Sequence, residues 1–262
     1  MRNYDQEVYR PMKELPRRMV WGLMKKTAKR VLMFPGKYGD DIIVGLNYME
    51  TRSTKVGRID KETEFVFIER NPKVARDIKK TCKKLGLKNF RIIVQDFSGD
   101  ILKDLGHFDI MFFDFCGQIT EMVYNALMVS GWSAENIAFT FDAQLRNNPF
   151  HKKYPERRAS FTLPAGATGL LSHDKENSIW TCDTVLTALG LNSDYLVNFF
   201  GYKEKPKGCP MIFFTLKTGI ENPAMRAHRT RRINLLQTEY DAAVSAGVKA
   251  GIRRKMNQLL AV

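Results

Sequence analysis

No apolar run in this chain approaches the roughly 20 residues needed to cross a bilayer, so a membrane-spanning helix is not expected. The first residues, MRNYDQEVYRPMKELPRRM, lack a continuous apolar core, so a secretory signal of the usual kind is not expected. Cysteine is sparse. Cys82, Cys116, Cys182 and Cys209 are scattered and form no CxxC pair, which argues against a disulfide framework or a zinc site and for free thiols in a reducing, intracellular compartment. No metal site is expected. There is no GxGxxG, no internal repeat and no low-complexity block. Histidine is equally scarce, at 4 residues; His107, His151 and His173 stand alone, and none of them marks a ligand set.

Positive charge is abundant. The 262 residues carry a formal net charge of +14, with 42 Lys and Arg against 28 Asp and Glu. Such a balance points to a polyanionic partner, most simply nucleic acid. The alternative is a solvated basic surface that aids solubility. The charge is clustered in three places: Arg10 to Arg30; RNNPFHKKYPERR over residues 146–158; and a tail with Arg226, Arg229, Arg231, Arg232, Lys249, Arg253, Arg254 and Lys255 against only Glu221, Glu239 and Asp241. In the second cluster Arg146, Lys152, Lys153, Arg157 and Arg158 suit a phosphate backbone, with Phe150 and Tyr154 available for base stacking. The equal alternative is a solvated loop.

The middle of the chain alternates two periodicities. RVLMF (residues 30–34) is a buried-strand pattern entering a Pro-Gly turn, and DDIIVGLNYMETR then reads as helix, opened by acids that complement its dipole. EFVFIE (64–69) is a second strand. Asn71 as N-cap and Pro72 at the first helical position open the next helix, Val74, Ile78, Cys82 and Leu85 recur on one face, and Gly86 stops it. NFRIIVQD (89–96) and FDIMFFD are the third and fourth strands. A helix, QITEMVYNALMV, and a fifth strand, NIAFTF, follow. The series is β-α-β-α, which implies a mostly parallel sheet covered on both faces. Ligands bind such sheets at the carboxyl ends of the strands, where strand order reverses. The residues to inspect are therefore those that follow each strand.

Beyond the fifth strand the pattern changes. Residues 146–177 are polar, basic and punctuated by Gly and Pro. SIWTCDTVLTALG reads as helix. DYLVNFFGYKEKPKGCPMIFFTLKTG reads as two strands joined by a Lys/Pro/Gly turn. From Asn222 two short amphipathic stretches carry Ile233, Leu236, Tyr240 and Val244, then Val248, Ile252, Met256 and Leu259. They read either as a nucleic-acid-binding helical pair (Arg229, Arg231, Arg232, Arg253, Arg254) or as a hairpin docked on the main domain. The expected organisation is a basic extension over 1–24, an α/β domain over 25–220 and a basic helical extension over 221–262.

Over about residues 25–218 this layout resembles the class I S-adenosylmethionine-dependent methyltransferases. The resemblance implies a seven-stranded, mostly parallel Rossmann-like sheet finished by an antiparallel hairpin, and S-adenosylmethionine as cofactor. It assigns Gly36 and Gly39, in FPGKYGDD, to the glycine-bearing turn that approaches the cofactor, although Phe34 and Pro35 stand where the family has an acid. It assigns Glu69 to the ribose hydroxyls, Asp96 to the adenine amine and Phe97 to the adenine ring. The separation of Gly36 from Glu69 exceeds the roughly 20 residues of dinucleotide folds, and TRSTKVGRIDKETE reads as an inserted loop. The stretch DFCG falls where the family carries its catalytic motif. Asp114 and Phe115 are the candidates there. The prolines of the exocyclic-amine enzymes are absent, and Cys116 is displaced by one from the thiolate position of the RNA cytosine enzymes. A buried structural thiol is the plainer reading of Cys116. Two functions follow: a methyltransferase acting on DNA or RNA, or a catalytically silent relative that binds nucleic acid beside a protein partner in transcription or replication.

Overall fold

The structure is a computed structural model. It describes residues 10–24, 26–36, 38–48, 57–103, 105–115, 117–130, 132–145, 147–154, 172–203 and 209–219, with five single positions (238, 242, 249, 252 and 253) farther on. Cys116, Arg146, Arg157, Arg158, Arg229, Arg231, Arg232 and Arg254 lie outside these residues, as does most of the expected C-terminal extension. Of that extension's candidate contacts, Arg253 is described, helical and exposed.

Seven strands form one sheet in the order β3-β2-β1-β4-β5-β7-β6. They are β1 (Arg30–Met33), β2 (Glu64–Ile68), β3 (Phe90–Ile93), β4 (Phe108–Asp114), β5 (Ala134–Asp142), β6 (Leu196–Lys203) and β7 (Pro210–Lys217). The first five run parallel, and β7 lies antiparallel between β5 and β6. This is the expected sheet, with its closing hairpin. Strand order reverses between β1 and β4, because β1 leads outward to β2 and β3 while β4 leads the other way to β5.

Both faces are covered. Helices α1 (Arg10–Gly22), α2 (Asp40–Leu46) and α3 (Pro72–Lys84) pack on one face, where Val20, Trp21, Met24, Ile42, Ile78 and Cys82 join Phe65, Phe67 and Phe112. Helices α4 (Gly99–Lys103), α5 (Glu121–Val129), α6 (Pro149–Lys153) and α7 (Ser172–Leu189) cover the other with Leu102, Val123, Leu127, Phe150, Trp180 and Val185. Part of the N-terminal extension is thus a core element, since Trp21 of α1 is fully buried.

Local chemistry explains the element bounds. The Asn71 side chain accepts the Lys73 amide at 2.9 Å and Pro72 opens α3. At the other end Gly86 takes φ +72, its amide donates to the Lys83 carbonyl and the Leu87 amide to the Cys82 carbonyl. That pair of bonds is a Schellman closure, with Leu87 and Cys82 sharing the core beneath it. Asn148 caps α6 through the Phe150 and His151 amides, and Thr120 caps α5 through Val123.

A ladder of phenyl rings crosses the sheet. Phe113 pairs with Phe139 and Phe139 with Phe214 in register, and each pair stacks at 5.2 Å between centroids. One step nearer the carboxyl edge, Phe115 stacks on Phe141 at 4.9 Å.

Helix α1 approaches α2 closely because residue 45 has no side chain. A Cβ on Gly45 would stand 2.7 Å from Trp21 Cε2 and 2.8 Å from Ile59 Cδ1. Gly45→Ala is therefore expected to destabilise the protein by about 1–3 kcal/mol through overpacking. A thermal melt checks this, and a midpoint equal to that of the wild type would show that α1 does not sit this deep.

Candidate active site at the carboxyl edge

The carboxyl ends of the parallel strands hold most of the candidates in one row. Ile68 and Ile93 are register partners, as are Met33 with Phe112 and Asp114 with Thr140. With strands about 4.8 Å apart, the row from β3 to β5 spans about 19 Å. It brings together Asp96 and Phe97 after β3, Glu69 after β2, Phe34 and Gly36 after β1, and Asp114 and Phe115 at the end of β4. Sequence reasoning placed the three carboxylates on a single rim, and the strand register puts them there.

Glu69 is half-buried. Its Oε1 accepts the Asn71 amide at 2.7 Å, which fixes the carboxylate against the start of α3, and its second oxygen has no partner among the described residues. Asp96 is exposed and likewise unpartnered. Between these acids and Asp114 stands a wall of rings. Phe34 meets Phe97 at 5.5 Å and Phe115 at 5.2 Å, both edge to face, and Phe97 meets Phe115 at 5.7 Å. All three rings are half-buried and rest on the fully buried Phe113. The phenyl ladder of the core thus surfaces at the strand ends as a rigid apolar wall.

Gly36 is exposed in the turn after β1. Gly39 is not, and a local demand explains it: its φ is +67, and a Cβ there would stand 2.8 Å from Thr81 Cγ2 of α3.

The far end of the row is a charge cluster that the sequence did not disclose. Lys13 Nζ of α1 donates to Asp114 Oδ2 at 3.4 Å, and the Thr140 hydroxyl of β5 donates to Asp114 Oδ1. One turn along α1, Arg17 Nε donates to Asp41 Oδ1 at 2.9 Å and Arg17 faces Asp40 at 3.6 Å. Trp21 Nε1 donates to the Asp41 carbonyl at 2.8 Å. Helix α1 therefore lies across the carboxyl edge at the point of reversal, with two cations pointing down onto three carboxylates.

The cluster sets its own protonation. Burial alone would raise the Asp114 carboxyl, but Lys13, the Thr140 hydroxyl and Arg17 together hold it below the ordinary carboxylate value. Burial raises Asp41, opposed by Arg17 and reinforced by the charge on Asp114. Burial acts to lower Arg17, and the two α2 carboxylates outweigh it, so the guanidinium stays charged. A carboxylate held this low is a poor proton acceptor at neutral pH. It is a good hydrogen-bond acceptor and electrostatic anchor.

The other candidates sit elsewhere. Lys152 is exposed. Lys153 pairs with Glu121 at 2.9 Å. The Tyr154 ring packs edge to face on Phe150 at 5.4 Å while its carbonyl accepts from Trp180 at 2.8 Å. Phe150 is 4% exposed, so its ring fills the core and is not offered to a base. Among the described residues no cluster of His, Cys, Asp and Glu is arranged for a metal ion, and no helix is long and apolar enough to cross a membrane. Burial pushes the Cys82 thiol up to about 11 and also raises Cys182, as befits packing groups.

No family model and no curated protein matches the chain. Solved structures do. The N-methyltransferase NodS from Bradyrhizobium japonicum WM9, in complex with S-adenosyl-L-homocysteine, is 10% identical, with 82% of this chain and 90% of that one covered at a TM-score of 0.49. TrmK of M. capricolum, in complex with S-adenosyl-homocysteine, is 10% identical over 93% and 94% of the two chains at 0.41. The O-methyltransferase TomG from Streptomyces achromogenes, in complex with SAM, is 15% identical over 80% of each at 0.46. The strand order itself, with β7 antiparallel between β5 and β6, is that of a Rossmann-like sheet closed by a hairpin. At these identities the likeness concerns the fold alone.

Replacing Lys13 by Met removes a charged hydrogen bond from a partly buried carboxylate and is expected to cost about 2 kcal/mol at pH 7. Because the folded-state value of Asp114 is depressed, that stability is present above the ordinary 3.8 and disappears as pH falls through the lower folded value. Urea denaturation of both proteins at pH 7, 5 and 3 measures the difference. A gap already closed at pH 5 contradicts the assignment.

Proposed function

We propose that this chain is an S-adenosylmethionine-dependent methyltransferase acting on nucleic acid. The observation that carries the reading is the pairing of two acceptor carboxylates, Glu69 and Asp96, with the ring wall of Phe34, Phe97 and Phe115 on one edge of a parallel sheet at its switch point. A nucleoside needs those three things. A carboxylate with a spare oxygen accepts from ribose hydroxyls, a second accepts from the adenine amine, and a flat apolar wall packs the base. The residues thus fit the adenosine part of the cofactor. When bound, the cofactor supplies an activated methyl group on a sulfonium, ready for in-line transfer to a nucleophile.

The chain's own task is placement. Glu69 is fixed by Asn71, and the rings are fixed by the ladder beneath them, so the wall is preorganised. At the other end Asp114 stays ionised and offers acceptor oxygens that orient the donor hydrogens of an incoming amine or hydroxyl. Positioning of this kind can supply most of the rate effect of a two-substrate transfer. The net charge of +14 supports a polyanionic acceptor.

A second reading has its own observation. Phe34 stands where the family has an acid, and Asp114 is already engaged by Lys13 and Thr140. This suits a fold kept for binding nucleic acid in a larger complex, without transfer.

Calorimetric titration with S-adenosylhomocysteine separates the two. On the first reading the wild type binds, and Glu69→Ala weakens binding by about 10- to 100-fold through loss of charge-assisted hydrogen bonds. Asp96→Ala weakens it less, because its carboxylate is exposed and only the amine contact is lost. Absence of binding to the wild type leaves the second reading in place.

A further inference from the structure

We infer that the outer face of α3 is a docking surface for the phosphate backbone of double-stranded nucleic acid. This rests on the nucleic-acid reading of the substrate and adds to it the place of contact.

The inner face of α3 is apolar and half-covered or buried: Val74, Ala75, Ile78 and Cys82. The outer face is cationic. Lys73, Arg76, Lys79, Lys80, Lys83 and Lys84 are all exposed, and at 100° per residue they fall within an arc of about 140°. Along the 13-residue helix, about 20 Å long, the one acid is Asp77, which pairs with Lys80 at 3.7 Å. No other ion pair to this face occurs among the described residues.

The fold does not ask for this pattern. Residues three or four apart on a helix are neighbours, and like charges there repel. Lys73 with Arg76, Arg76 with Lys79 and Lys80, Lys79 with Lys83, and Lys80 with Lys83 and Lys84 are all such pairs. Asp77 offsets only two neighbours, Lys73 and Lys80. The helix dipole favours Lys83 and Lys84 in the last turn but opposes Lys73 in the first, where there is no acid. A solvated face needs no such accumulation. A partner with dense, regular negative charge neutralises it.

Duplex nucleic acid offers one charge for about every 1.7 Å of its axis. The exposed face of α3 has no aromatic side chain, so nothing on it stacks an unpaired base, and the contacts it can make are to phosphates. Its placement suits delivery. Helix α3 begins at Pro72, three residues after Glu69, so its first turn stands at the same carboxyl edge as the proposed site, beside its cofactor end.

The test is fluorescence anisotropy with a labelled 30-base-pair DNA duplex, the same length of RNA duplex, and one of the single strands, each titrated across salt. The triple variant Arg76→Gln, Lys80→Gln, Lys83→Gln is expected to bind duplex at least tenfold more weakly at 100 mM salt. The slope of log affinity against log salt should fall by about 2–3. The variant Arg76→Lys, Lys80→Arg, Lys83→Arg keeps the charge and is expected to bind as the wild type does. Unchanged duplex affinity and slope in the Gln variant overturn the inference. So does wild-type binding of polyglutamate or phosphatidylserine vesicles that is equally strong and equally sensitive to the substitutions, or a single strand held more tightly than the duplex. S-adenosylhomocysteine titrated into the same Gln variant tests the cofactor reading separately, since none of the three side chains belongs to that pocket.

Discussion

The meeting of Lys13 and Arg17 with Asp40, Asp41 and Asp114 ties three elements together at the carboxyl edge of the sheet. Charge taken from water is tolerated only when it is paired, and here the pairing is shared among three elements: one helix from the start of the chain, the first turn of α2, and the end of the central strand β4. The cluster decides what the edge can do chemically. It keeps Asp114 ionised, tethers α1 across the switch point, and leaves the opposite end of the row to Glu69, held by the Asn71 amide through one oxygen, and the exposed Asp96. One edge therefore has an ion-paired end and an acceptor-rich one.

The core prepares the middle of that row. Rings that stack in register across β4, β5 and β7 continue upward until Phe115, Phe97 and Phe34 reach the surface. A wall built on such a foundation loses little conformational freedom when something flat is laid against it. Phe34, in the turn after β1, completes the wall by meeting both Phe97 and Phe115 edge to face.

Much of this was legible in the residues because the signals were local. The bounds of α3 follow from Asn71, Pro72 and Gly86, all within reach of the backbone groups they satisfy. Strands β1 to β5 announced themselves as apolar runs ending in turn residues or acids, and the closing hairpin by its Lys/Pro/Gly turn. Helix α1 was not legible as a core element. Its basic composition read as an extension, and the side chains that give it meaning lie far along the chain, Asp41 at 24 residues from Arg17 and Asp114 at 101 from Lys13. The ring wall escaped for the same reason, since contacts between strand ends are set by sheet order. Gly39 shows the reverse case: the right residue for the turn, explained by its own backbone and by Thr81 of a neighbouring helix.

The proline inside α1 divides that helix into two parts with different holds. Pro16 has no amide hydrogen, so the carbonyl of residue 12 loses its partner four places on, and the first turn is joined to the rest by fewer bonds. Inward of it, Trp21 and Val20 are locked in the apolar layer and cannot leave without opening the core. Outward of it, Lys13 reaches Asp114 at 3.4 Å, so the two parts of one helix are held by different forces, burial on one side of the proline and charge on the other.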